Sequence, residues 1–140
     1  MRHGSFMRLI KQRDDAGCGL ACAAMVSGAT YAAVRKTYRA ITKTTRTDKV
    51  VATKLELLKE IMQRHGIAIE GRARKFGGRD PEELDLNCDA LVKVNPRLEG
   101  EEWHWVVWDH RRNRVLDPKQ PAYQRLKFVS YWRLRQTSRV

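Results

Sequence analysis

The chain has 140 residues, 42% of them hydrophobic and 31% charged, which suits one folded domain around one core. No apolar run reaches the roughly 18 residues of a transmembrane helix, and the N-terminus lacks the apolar stretch of a secretory signal, so a helical membrane span is excluded. The formal net charge of +12 marks a surface that attracts polyanions.

Residues 1–6 read as an added leader, with Met7 as the native start of a single domain over residues 7–140. Residues 7–11 read as a short strand or an extended lead-in, and 12–17 as a polar loop. The Ala-, Leu- and Met-rich stretch from Cys18 to Ser27 predicts a buried helix closed by Gly28. Thr30 then caps a second helix over 31–39, and 41–49 is a loop rich in Thr and Lys. The clearest periodicity lies in 51–65. Val51, Leu55, Leu58, Ile61 and Met62 recur at three- and four-residue spacing, with Thr47 or Asp48 as cap and Gly66 as terminator. His65 falls in the last turn of that helix, where a cation is favourable, and reads as a helix-end residue.

Strands dominate the remainder. Residues 67–70 alternate, 72–79 form a basic loop, and 81–84 a helical turn capped by Asp80. Residues 90–94 (ALVKV) form a strand that Asn95-Pro96 breaks, followed by an acidic loop over 97–102. Residues 103–108 (WHWVVW) form a strong strand, 109–113 a turn, and 114–116 the partner strand. For the tail, 126–134, alternation favours a strand over a helix. Helices first and strands after predicts an α+β layout, with a helical layer packed on a C-terminal antiparallel sheet.

Three cysteines form no disulfide-scaffold pattern, which points to a reducing, cytoplasmic setting. The spacing of Cys18 and Cys22 is not that of a zinc pair, and no cofactor is expected. Cys18 stands out because it opens a helix. The positive end of a helix favours a thiolate, and Gly17 and Gly19 on either side let a backbone approach closely. A nucleophilic cysteine needs a base, and the base an orienting partner. His104 lies between two tryptophans at the start of a strand. Asp117 lies thirteen residues on, at the end of the adjoining strand, so a hairpin sets the two side by side. Taken singly, His104 reads as a core residue, Asp117 as the turn residue before a proline, and Cys22 as packing one turn after Cys18.

Gln12 six residues before Cys18-Gly19, the apolar helix, then His104-Trp105-Val106-Val107 and a hairpin ending in Asp117-Pro118 together resemble the C39 family of papain-like cysteine peptidases. These are best known as N-terminal domains of bacteriocin-exporting transporters. The resemblance runs from about residue 9 to residue 118. It implies a papain-like fold and a peptide or protein substrate, cut after a small residue as in double-glycine leader processing. It implies Cys18 as nucleophile, His104 as base and acid, Asp117 as its orienting group, and Gln12 as an oxyanion donor beside the Cys18 N–H. The chain departs from the family at Gly17, where an acid is usual. No transporter domain follows in this sequence, which predicts a free-standing enzyme. A second reading keeps the fold without turnover and uses the basic surface to hold nucleic acid or an acidic partner. A third joins the two, with charge steering the enzyme to an acidic substrate. Residues 35–54 and 111–139 carry much of the excess charge.

Overall fold

The computed structural model describes residues 7–95 and 103–137; the expected leader at 1–6 and acidic loop at 97–102 lie outside these. The helices are α1 (Cys18–Ser27), α2 (Tyr31–Thr42) and α3 (Leu55–Arg64). The strands are β1 (Ile67–Lys75), β2 (Ala90–Val94), β3 (His104–Asp109), β4 (Arg114–Leu116) and β5 (Phe128–Gln136). The helices precede the strands, as expected. All pairings are antiparallel, in one sheet of order β1-β5-β2-β3-β4.

Helix α1 is apolar on every side and therefore buried, with only Ser27 reaching the half-exposed range. It packs against β3 and against both other helices. Gly28 closes it in the left-handed conformation, its N–H bonded to the Ala24 carbonyl. Helix α2 is amphipathic. Thr30 caps it by accepting the Ala33 N–H at 3.0 Å, and Tyr31, Val34 and Tyr38 form its buried face. It runs to Thr42, three residues past the expected end, and Lys43 then turns left-handed.

Helix α3 starts at Leu55, not at 51, and neither Thr47 nor Asp48 caps it. Asp48 instead closes its own turn by accepting the Thr45 N–H at 2.7 Å. Residues 50–54 are held outside the helix by tertiary bonds. The Val51 N–H donates to the Tyr38 hydroxyl at 3.0 Å, and the Thr53 carbonyl accepts from the Trp105 indole at 3.0 Å. Val51 is therefore exposed, while Leu58, Ile61 and Met62 form the apolar face.

Strand β1 extends to Lys75 through a bulge between Glu70 and Arg74, so half of the expected basic loop is strand. Asp80 caps as expected, exchanging bonds with Glu83 in both directions, but the segment after it forms turns and no helix. The tail is a strand, β5, lodged between β1 and β2. Residues 7–12 form no strand, although Met7 is buried. The sheet thus has two covered faces. One holds Leu91, Trp105, Val107 and Trp132 against the helices; the other holds Val92, Val106 and Trp108 against Phe76 and Leu86. Among the described residues no single helix is long and apolar enough to cross a membrane.

Candidate active site

The first residue of α1, the first residue of β3 and the residue after β4 meet at one edge of the helix–sheet interface. Cys18 opens α1, with Gly17 as an N-cap that supplies no side-chain bond and no acid in the first turn. The first N–H groups of a helix have no partner inside it, so this uncapped end presents donors and the positive pole beside the sulfur. Glycine at 17 has a local cause. A Cβ there would run into the Tyr31 hydroxyl, which bonds Asp14 at 2.6 Å. Glycine at this position thus admits the Tyr31–Asp14 bond. A Cβ on Gly19 would likewise strike the Thr53 hydroxyl.

The hairpin of β3 and β4 puts His104 against Asp117 as the spacing predicts, with Nε2 and Oδ1 2.6 Å apart. Cys18 lies beside the same imidazole and lines a cavity with it. Since Nε2 faces the carboxylate, Nδ1 is the nitrogen left for sulfur. Burial disfavours the imidazolium, but the Asp117 hydrogen bond and charge and the neighbouring Cys18 outweigh it, and His104 is pushed up to about 9. Burial likewise raises Asp117, yet its bonds to His104, the Lys119 N–H and the Tyr123 N–H hold the carboxyl below the usual range. The pair is therefore charged across the neutral range.

Several residues that spacing alone did not single out complete this arrangement. Asp117 Oδ1 also accepts the Lys119 N–H at 2.9 Å, and Oδ2 the Tyr123 N–H at 3.1 Å. The first is the bond an aspartate makes to the residue two positions on, a signal present in Asp117-Pro118-Lys119. The Tyr123 ring stands edge-on to the His104 ring, 5.1 Å between centres, and carries no such signal. Lys11 bonds the Lys119 carbonyl at 2.8 Å, and the Gln12 N–H bonds the Pro118 carbonyl at 2.9 Å. These bonds lay the N-terminal segment across the end of β4 and bring Gln12 to the site.

Gln12 lines a cavity of about 230 Å³ with Ala16, Cys18, Trp103, His104 and Tyr123. Its amide does not donate into that cavity. Nε2 donates to the carbonyls of Asp14 and Asp15 at 3.1 and 2.9 Å, which uses both of its hydrogens, and Oε1 is buried without a partner among the described residues. In this arrangement Gln12 fastens the loop that leads to Cys18. The donor role implied for it requires the amide to release one carbonyl.

The other singled-out residues lie apart from this site. Cys22 is fully buried in the core; burial, then the nearby Cys18 and Asp117, push its thiol well up, as befits packing. His65 caps the end of α3 and meets the Thr37 hydroxyl at 2.7 Å. Burial pushes its imidazole down, against the cationic form expected at a helix end. Sequence comparison matches no protein-family model and no curated protein.

Proposed function

We propose that this chain is a cysteine peptidase of papain-like architecture, acting through Cys18, His104 and Asp117. The observation that carries the reading is the buried His104–Asp117 pair, 2.6 Å apart, lining one open cavity with Cys18 at the start of a helix.

Each group has a step it is placed to perform. An imidazolium next to the sulfur favours the thiolate. The thiolate attacks the substrate carbonyl carbon and forms a C–S bond, and the carbonyl oxygen takes up the negative charge near the α1 N–H groups. His104 gives its proton to the departing amine, and the C–N bond breaks to leave a thioester. Neutral His104 then takes a proton from water, whose oxygen attacks the thioester. The carboxylic acid leaves and the Cys18–His104 pair is restored. Asp117 keeps Nε2 occupied and the ring oriented throughout. The cavity between Trp103 and Tyr123 is small, which supports a small side chain on the acyl side of the bond.

The test is cleavage of a mixed peptide pool, with new termini read by mass spectrometry. The expected result is a set of cuts following small residues, abolished in Cys18→Ser and His104→Ala and reduced at least about 100-fold in Asp117→Ala. Cuts that persist in Cys18→Ser overturn the proposal. The net charge of +12 favours a second use, polyanion binding, which weakens steeply as salt rises.

A further inference from the structure

Next to the catalytic cavity lies a wider groove of about 540 Å³ that peptide hydrolysis itself does not require. Five cations line it: Arg13, Arg35, Arg39, Arg46 and Lys49. They come from three separate stretches, the loop before α1, the outer side of α2 and the 43–50 loop. Three carboxylates also line it, and two are already engaged. Asp14 accepts from Tyr31 at 2.6 Å and pairs with Arg35 at 3.3 Å. Asp48 accepts the N–H and the hydroxyl of Thr45 at 2.7 and 3.2 Å. Arg13 and Arg35 are steadied over the Tyr31 ring, 5.8 and 5.4 Å from its centre. Arg46 and Lys49 are exposed and have no ion-pair partner among the described residues. The third carboxylate, Asp15, stands on the wall shared with the catalytic cavity, so the unpaired positive charge lies on the side away from Cys18.

We propose that this groove is a substrate subsite that takes acidic side chains, glutamate or aspartate, a few residues from the scissile bond. The proposal rests on the peptidase reading and names its substrate class. Charge complementarity carries it. A peptide lying extended in the catalytic cavity continues over the residue 12–16 loop into a groove with surplus cations. A neutral or basic segment there leaves Arg46 and Lys49 unmatched, whereas an acidic one pairs with both. Such pairs act on association and selection more than on tightness alone.

The test uses the full chain and two fluorescent probes, hexaglutamate and hexaglutamine, followed by anisotropy at low salt. Hexaglutamate binds about tenfold or more tighter than hexaglutamine, and Arg46→Glu/Lys49→Glu removes most of that preference. The milder Arg46→Gln/Lys49→Gln reduces it, which keeps the test informative if the reversal hinders folding. The reversal Arg72→Glu/Lys75→Glu on exposed β1 changes the net charge equally and leaves most of the preference. Bound hexaglutamate also slows alkylation of Cys18, and hexaglutamine does not. Three results overturn the proposal. They are no preference for hexaglutamate, equal loss from both reversals, or a single-stranded oligonucleotide of equal charge that binds tighter and depends on Arg46 and Lys49. Binding is read in Cys18→Ser as well. An inert Cys18 with intact groove binding thus refutes the peptidase reading and not the anionic site.

Discussion

At the scale of single residues, the account rests on how His104 is held. Its partner carboxylate is oriented by three donors, the imidazole and two backbone N–H groups, so loss of the charge and loss of the geometry are separable. In Asp117→Asn the ring keeps a partner of similar shape and loses the charge. Its titration, followed by NMR, moves from about 9 back toward the ordinary value near 6.5. The linked effect on stability has a definite sign. A histidine whose value is raised by folding contributes its full stabilisation below about 6.5, and the contribution fades as pH rises through about 9. The wild type therefore loses stability across that interval relative to Asp117→Asn. A His104 titration unchanged by the substitution contradicts the account. The His–Asp pair was readable from spacing, because a hairpin brings the start of one strand near the end of the other, within reach of diagonal side chains. The direction of the Gln12 amide was not, because the carbonyls that hold it belong to a loop whose path depends on Tyr31 and Asp14.

At the scale of elements, α1 is set by its neighbours as much as by its own sequence. Two glycines bracket Cys18 because the Tyr31 and Thr53 hydroxyls occupy the places of their missing side chains. Gly17→Ala is expected to cost about 1–3 kcal/mol through overpacking and to slow Cys18 alkylation, since the start of α1 must shift. Thr30→Ala removes a cap from α2 and costs about 1 kcal/mol with Cys18 reactivity unchanged. Thermal melts and alkylation rates on the two variants separate the effects, and equal alkylation in both contradicts the role given to Gly17. Local patterns served well where the signal was local. α1, β2 and β4 occur where composition and punctuation put them. The start of α3 was hidden because residues 50–54 are held by Tyr38 and Trp105 from elsewhere in the chain. The outer half of β1 was hidden because its residues are polar on both faces, and its partner, β5, lies at the far end of the sequence.

At the scale of the whole molecule, the fold brings together residues that the chain keeps far apart. The C-terminal strand fills the middle of the sheet, between β1 and β2, a placement no local pattern announces. In that sheet β3 packs against α1, so His104 and Cys18 line one cavity. In the proposed reading, reactivity of Cys18 is consequently a property of the folded chain and not of its local sequence. The three cysteines provide internal controls, since Cys22 is buried and burial also raises the thiol of Cys88. The measurement that tests this most directly is the alkylation rate of each cysteine against pH, read by peptide mass spectrometry, in the wild type, in His104→Ala and in denaturant. The account predicts that Cys18 reacts faster than Cys22 and Cys88 in the folded wild type and loses its lead in both other conditions. A Cys18 that reacts no faster than Cys88 in the folded wild type, or whose rate is unchanged by His104→Ala, contradicts it.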